Sequence, residues 1–144
     1  MTTEAVLGFN FLATTLQGDS TLASLAPGGV FRGTADPQVP TPYVIVALQS
    51  GTDSITNAGV RTMSELLFQI KAVGPAKDAV SVASAYAQVD SLLGGERGLR
   101  NVGIPNGFIG CCYRDGSIVQ DELVTGQKWI NIGGMYRVTV EQTS

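Results

Sequence analysis

The hydrophobic positions along the chain follow helical spacing in some segments and the alternation of a strand in others. Residues 4–16 place apolar side chains at helical spacing, and a shorter apolar segment around Leu22 and Leu25 ends at Pro27. A second helical pattern covers residues 76–93, with a proline at its start and glycines directly after it. We therefore predict an N-terminal helix and one long helix in the middle of the chain. Between them we predict a short helical turn, capped by Asp19 or Ser20, in which Leu22 and Leu25 point inward.

The central helical segment is rich in alanine. Its apolar positions recur every three or four residues and form one stripe, which is typical of a helix with one buried face. The stripe consists of Ala79, Val82, Ala83, Tyr86, Val89, Leu92 and Leu93. Because alanine is small, we expect this helix to approach a sheet closely and to form its main covering layer.

Two strands are predicted before that helix. Residues 43–49 are β-branched, aromatic and almost wholly apolar, which is typical of a strand buried on both faces, and we expect them to form the central strand. Residues 62–73 alternate between apolar and polar positions, as a half-buried strand does. The polar, turn-rich residues 50–61 between them predict a long hairpin with an extended tip. Residues 30–32 predict a further short strand.

The C-terminal part is predicted to be a set of strands. Residues 94–107 are rich in Gly, Asn and Pro and predict a loop, after which residues 108–114 predict a strand. Asp115-Gly116 is a strong signal for a hairpin turn. Residues 129–140 predict the last strand, in which the Gly133-Gly134 pair is expected to shift the register as a β-bulge does.

The order of these elements predicts the α+β class. We expect a mainly antiparallel β-sheet with a long hairpin, covered on one face by the alanine-rich helix and the N-terminal helix. A length of 144 residues is near the commonest size of one domain, so residues 1–144 are predicted to form a single domain.

The composition bears on what covers the surface. Only 15% of the residues are charged while 44% are hydrophobic, which is less charge than an ordinary surface carries. This favours a subunit that buries its outside against copies of itself, and a compact, mildly acidic monomer is the alternative. The net charge of -3 and the lack of a Lys/Arg cluster argue against sequence-specific binding of nucleic acid. The short apolar runs and the start of the chain predict a soluble, unexported protein without a membrane segment.

The residues offer little catalytic chemistry. The chain contains no histidine, which removes the commonest general base and the usual zinc ligand. Cys111 and Cys112 are adjacent, so on a strand they point to opposite faces, and we interpret them as reduced packing residues. Asp121-Glu122 is interpreted as a solvated turn, and the glycine pairs as turns, caps and bulges. The sequence therefore predicts no catalytic, cofactor-binding or metal-binding residue, and no cofactor.

Two groups of residues are candidates for contacts with other proteins. Asp53, Asn57 and Arg61 lie in the predicted hairpin tip, where a long polar loop on a rigid hairpin favours a binding role. Trp129 and Tyr136 are candidate interface anchors, because aromatic residues are enriched at interaction hot spots. Ordinary core packing is the alternative for both aromatic residues.

The order of several segments resembles the bacteriophage tail terminator, or tail-to-head joining, proteins. The N-terminal helix is followed by residues 22–25 and 30–32, and then by Pro-Thr-Pro-Tyr-Val-Ile-Val over residues 40–46, which is similar to the family's P-P-Y-hydrophobic entry to its first long strand. The likeness continues with strand residues 65–72 leading into the alanine-rich helix, which has a Leu-Leu end. It finishes with residues 110–114 and 136–140. The stretch 94–107 and the Gly133-Gly134 pair depart from the family pattern.

This resemblance implies a structural role in a virion. It implies a hexameric ring of identical subunits that caps the tail tube, ends its polymerisation and presents a surface to the head connector, with DNA passing through its lumen. The implied partners are the tail tube protein and a head completion protein, and the implied location is the head–tail interface of a virion assembled in the host cytoplasm. The family has no catalytic motif to transfer. A head completion protein or a tail-tube subunit is the alternative within this class, and a small enzyme or ligand-binding domain with a pocket under the alanine-rich helix is the alternative outside it.

Overall fold

The computed structural model describes residues 2–35, 38–55 and 61–142. These residues form three α-helices, one 3-10 turn and six strands. The elements in chain order are α1 (Thr2–Gln17), α2 (Ser20–Leu25), β1 (Val30–Arg32), β2 (Tyr43–Ile55), β3 (Arg61–Pro75), the 3-10 turn (Ala76–Asp78), α3 (Ala79–Leu92), β4 (Leu99–Ile104), β5 (Gly107–Val124) and β6 (Gln127–Gln142). The predicted α+β class is confirmed.

All six strands belong to one sheet, in the order β1-β2-β3-β6-β5-β4. The short β1 lies parallel to β2, and every other neighbouring pair is antiparallel. The prediction that residues 43–49 form the central strand is wrong, because β2 lies next to the edge and β3 and β6 occupy the middle. Its first half is nevertheless enclosed, since Val44, Ile45 and Val46 are all buried.

The helices cover one face of the sheet, as predicted. On β3 the alternating residues Leu66, Phe68, Ile70 and Ala72 are at most 1% exposed and face the helices, whereas the residues between them lie on the other face. The opposite residues of β6, such as Tyr136 across from Phe68, complete this layer. The core therefore lies between the helices and the β3–β6 pair. Burial of each large side chain in it stabilises the fold by about 1.5–3 kcal/mol.

The short helix α2 begins as the sequence predicts. The carboxylate of Asp19 accepts a hydrogen bond of 2.8 Å from the backbone N–H of Leu22, which satisfies one of the free donors at the start of the helix. The Leu22 side chain is buried and Leu25 is partly buried. The predicted helical turn with these two leucines inward is therefore confirmed.

Helix α3 packs on the sheet for a different reason from the one predicted. Val82, Ala85, Tyr86 and Val89 are its buried residues, whereas Ala83 of the predicted stripe is exposed. The close approach is made possible by glycines of the sheet. A Cβ atom on Gly74 would lie 2.7 Å from Val82 Cγ2, and one on Gly134 would lie 2.6 Å from the Tyr86 hydroxyl oxygen.

The predicted hairpin turn at Asp115-Gly116 is wrong. Strand β5 continues through these residues to Val124, and the register against β6 shifts between Arg114 and Gly116, as at a β-bulge. The reversal takes place at Thr125-Gly126, where φ is 50° and 77°. Two consecutive positive φ angles fit the tight turn whose twist matches paired strands. The result is a β5–β6 hairpin much longer than predicted.

The Gly133-Gly134 pair does not shift the register of β6. Residues 131–136 pair without interruption with β3 on one side, and residues 131–135 pair without interruption with β5 on the other. Gly133 lies against the Ile70 carbonyl and Lys71, where a side chain would have no room. The glycines thus allow close contact within an unbroken strand.

The predicted loop 94–107 contains the edge strand β4, which pairs with residues 107–112 of β5. Its first part agrees with the sequence, because Gly94 and Gly95 follow α3 with φ of 95° and 59° and end that helix.

Candidate interaction surface

The described residues of the predicted hairpin tip, 50–55 and 61, lie in strands. Asp53 lies in β2 opposite Ser64, whose hydroxyl donates a 2.6 Å hydrogen bond to Asp53 Oδ1. Arg61 is the first residue of β3 and pairs with Ile55. The prediction that Asp53 and Arg61 belong to a loop is therefore wrong, because pairing extends both strands. Asn57 lies outside the described residues, and the binding role of the three residues stays a prediction.

Tyr136 is a core residue, which was the alternative to its role as an interface anchor. It is 1% exposed, and its hydroxyl donates a 2.7 Å hydrogen bond to Asp90 Oδ1 and lies 2.9 Å from the Tyr86 hydroxyl. Burial, followed by its hydrogen bonds to Tyr86 and Asp90, raises the pKa of Tyr136 far above its ordinary value. Its aromatic ring and hydroxyl are thus used inside the subunit, where they join α3 to β6.

Trp129 lies on the sheet face that carries no helix. It is partly buried, and its ring centroid lies 6.5 Å from that of Tyr43, which in turn lies 6.2 Å from Phe31. These three rings form an aromatic row across β6, β2 and β1. Partial burial, with a smaller contribution from the Glu122 charge, raises the pKa of Tyr43. A role of Trp129 as an interface anchor stays a prediction.

The far half of the β5–β6 hairpin exposes apolar side chains that the sequence analysis did not single out. Val119 is 69% exposed, Leu123 is 75% exposed and Val124 is 46% exposed. Val119 lies directly opposite Ile132, which itself lies opposite buried Ala72, so Val119 is on the helix-bearing face. No helix among the described elements covers it there.

The same part of β5 is an open sheet edge. Strand β4 pairs with β5 only as far as Cys112, so among the described residues the outer side of residues 113–124 has no partner strand. We call residues 113–124 the open β5 edge. At the opposite edge of the sheet, β1 pairs with residues 44–46. Within the part of the chain that the structure describes, residues 47–55 have no partner strand on their outer side, and we call them the open β2 edge. Unpaired strand edges of this length are templates for another strand.

The bulge at the start of the open β5 edge is fixed from both faces of the sheet. On the helix-bearing face, Arg114 lies 3.5 Å from the Asp90 carboxylate, which also accepts the Tyr136 hydroxyl. On the other face, Arg137 Nε donates a 2.8 Å hydrogen bond to Asp115, and Arg137 Nη1 lies 3.3 Å from Glu65. These contacts join the base of the open β5 edge to α3 on one face and to β3 and β6 on the other.

The cysteines lie on opposite faces, as predicted. Cys112 is fully buried in the core, where burial and then the charge of its neighbour raise the pKa of its thiol to about 12. Cys111 lies on the other face with its sulfur 3.3 Å from the Thr139 hydroxyl.

The predicted turn at Asp121-Glu122 is wrong, because both residues lie in β5. Asp121 is 3.6 Å from Lys128, and Glu122 accepts a 2.9 Å hydrogen bond from Asn131.

The described residues form neither a metal site nor a membrane-spanning helix. In residues 2–35, 38–55 and 61–142, no three His, Cys, Asp or Glu side chains come together in a way that could hold a metal ion. No helix within the same ranges has the length and apolar content needed to cross a membrane.

A groove of about 530 Å³ lies between α1 and β4, lined by Leu7, Phe11, Val102 and Ile104 among others. The boundary between α3 and the sheet, where the alternative ligand pocket was expected, is filled by the buried side chains of α3.

Comparisons with known proteins give a structural likeness. No family model matches the sequence, and no curated protein matches it. A chain from the structure titled "Virion of native gene transfer agent (GTA) particle" is 18% identical, with a TM-score of 0.62, over 89% of this chain and 91% of that one. The structure titled "Structure of bacteriophage SPP1 gp17 protein" is 13% identical over 100% of this chain and 94% of that one, and its TM-score of 0.41 is too low to establish a shared fold. The chain therefore shares the fold of a protein found in a gene transfer agent virion.

Proposed function

We propose that this protein is a structural subunit of a phage-type virion that acts at the junction of head and tail. It forms a ring, with six copies as the expected number, that caps the tail tube and offers its other side to the head connector. It is not an enzyme in this proposal. The observation that carries the proposal is the open β5 edge with its exposed Val119 and Leu123, because an unpaired strand edge with exposed apolar side chains is suited to contact with another protein.

The fold likeness supports this choice. One solved structure that shares the fold comes from a gene transfer agent virion, and the likeness extends over most of both chains. The order of the sequence segments that resembles tail terminators points to the same class of protein. The low charged fraction fits a subunit whose surface is largely covered after assembly.

Two open edges on opposite sides of the sheet favour a ring over a two-fold dimer. When a contact joins two different surface patches, each copy can bind one neighbour on each side, and the chain of copies closes if the rotation allows it. The β2 and β5 edges are two such patches, since they differ in sequence and belong to opposite sides of the sheet. A pair of different patches can therefore build a closed ring, and a closed ring can cap a symmetric tube.

The test is the effect of the protein on tail-tube growth. Polymerising tail-tube subunits are incubated with and without this protein, and tube lengths are measured by electron microscopy. A terminator is expected to shorten the tubes and to bind one end of each tube. Incorporation along the tubes would identify a tube subunit instead. Binding to head connectors with no effect on tubes would identify a head completion protein, and binding to neither would contradict the proposal.

A further inference from the structure

We propose that neighbouring copies join by strand addition, with the open β5 edge of one copy pairing with the open β2 edge of the next. The sheets of adjacent subunits thereby become one continuous sheet. This inference rests on the proposed ring and specifies the contact that would build it. It follows from which backbone groups are unpaired, which side chains are exposed, and which faces they occupy.

The two edges fit each other in direction. In the sheet order β2-β3-β6-β5, each strand is antiparallel to the next, so β2 and β5 run in opposite directions. If a second copy continues the sheet with its helices on the same face, its β2 edge lies antiparallel to the β5 edge of the first copy. Antiparallel pairing satisfies the outward N–H and C=O groups of both strands.

The exposed apolar side chains of the two edges also lie on the same face. Leu48 of the open β2 edge is 42% exposed and lies opposite Phe68, which faces the helices. Val119 lies on that same face of the open β5 edge, and Leu123 follows it four residues later. Strand addition therefore brings Leu48 of one copy beside Val119 or Leu123 of its neighbour, and part of the exposed apolar surface of these side chains is removed from water.

Both edges lack two of the residue types that protect exposed edges from such pairing, although the open β5 edge carries four charged side chains. Residues 47–55 and 113–124 contain no lysine and no proline, the two residues that most often block an exposed edge. Each edge has a bulge, at Gln49 and at Asp115, yet both strands continue for several paired residues beyond it. The bulges bend the two edges without ending them.

Charge favours pairing of unlike edges. Two β5 edges placed side by side would bring three acidic residues of each copy, Asp115, Asp121 and Glu122, onto one shared edge with a single basic residue of each, Arg114. The excess of like charges across such a strand pair is unfavourable. The open β2 edge carries Asp53 as its single acidic residue. A β5–β2 contact therefore brings together fewer like charges than a β5–β5 contact, and it is the contact that propagates around a ring.

The first test is amide hydrogen exchange on the assembled protein and on the dissociated subunit. We expect peptides covering residues 47–55 and 116–124 to exchange at least ten-fold more slowly after assembly. Peptides from α3, which takes no part in the contact, serve as the internal control. Assembly without added protection at these two edges would overturn the inference and leave the proposed ring intact.

The second test uses charged substitutions at exposed positions. V119K, L123K and L48K each place a lysine on one of the two edges, and all three are expected to weaken assembly at least ten-fold, as measured by the concentration at which subunits associate. Val80 is 82% exposed on α3, so V80K is the matched control and should assemble like the wild type. Equal behaviour of all four variants would contradict the proposed contact.

The third test identifies the partner edge by disulfide trapping. L48C protein is mixed with V119C or with L123C protein under mild oxidation, with the wild type as the control for Cys111 and Cys112. Dimers that form in the mixtures and exceed those in either protein alone support the β5–β2 contact. Efficient cross-linking of V119C or L123C protein by itself would indicate β5–β5 pairing and overturn the inference. A protein that remains monomeric even with tail tubes present would overturn both this inference and the proposed function.

Discussion

The two long hairpins of this protein are built alike but are covered differently. In the β2–β3 hairpin, Leu66 and Ser64 are fully buried, and Gly8 of α1 packs directly on Leu66 and Phe68. In the far half of the β5–β6 hairpin, Val119 and Leu123 point to the same face of the sheet but remain exposed. Apolar alternation therefore identifies the side of a strand that needs cover, and the position of the helices decides whether the subunit itself provides it.

The largest expected difference between the hairpins is in core truncation. Leu66→Ala should lower the free energy of unfolding by about 2–5 kcal/mol, because it removes buried methyl groups and leaves a cavity under α1. The matched variant Leu123→Ala should change it by no more than about 0.5 kcal/mol in the dissociated subunit. Urea unfolding at low protein concentration measures both. Similar losses in the two variants would mean that the far half of the β5–β6 hairpin is covered within the subunit.

A smaller effect is expected where the β5–β6 hairpin is joined to α3. Tyr136→Phe removes the hydroxyl that binds Asp90 and lies next to the Tyr86 hydroxyl, so we expect a loss of about 1–3 kcal/mol. Tyr113→Phe is the control, since Tyr113 is 40% exposed and should unfold like the wild type. Thermal unfolding monitored by circular dichroism compares the two variants. A Tyr136→Phe protein as stable as the wild type would show that these hydrogen bonds do not fix the base of the hairpin.

The smallest expected effect is an alkaline change in stability from the covered half of β5. Burial raises the pKa of the Cys112 thiol to about 12 from an ordinary value of 9.0, so the unfolded chain releases this proton first. The stabilisation is complete below about pH 9 and is lost as the pH rises towards 12. The loss in the free energy of unfolding amounts to about 1 kcal/mol by pH 10. Cys112→Ala should flatten the stability profile between pH 8 and 10, and an unchanged profile would contradict this origin.

Much of the fold follows from local sequence patterns. The helices α1 and α3, the strand β3 and the cap of α2 all agree with prediction, because helical spacing, strict alternation and a capping carboxylate are short-range signals. The order of strands in the sheet is a long-range property. The apolar run of β2 indicated burial on both faces, and nothing within the run could show that β3 and β6 would occupy the middle.

The errors in the two hairpins share one physical source, which is the competition between local turn preference and strand pairing. Asp115-Gly116 has the residues of a tight turn, yet pairing with β6 carries β5 past it through a bulge. The actual turn at Thr125-Gly126 has a weaker signal, because Thr, a β-branched residue, rarely adopts positive φ. This error also concealed the candidate surface, since Ile118, Val119, Leu123 and Val124 were available in the sequence as a possible strand pattern.

We have proposed that the exposed edges of this subunit are covered when it assembles into a ring, and the first measurement to make is the mass of the protein in solution. Light scattering is measured on the purified protein alone and in the presence of tail-tube subunits. We expect a discrete species of about six subunits, either in the protein alone or only when tube ends are present. A protein that stays monomeric under both conditions, and does not associate with tubes, would contradict it.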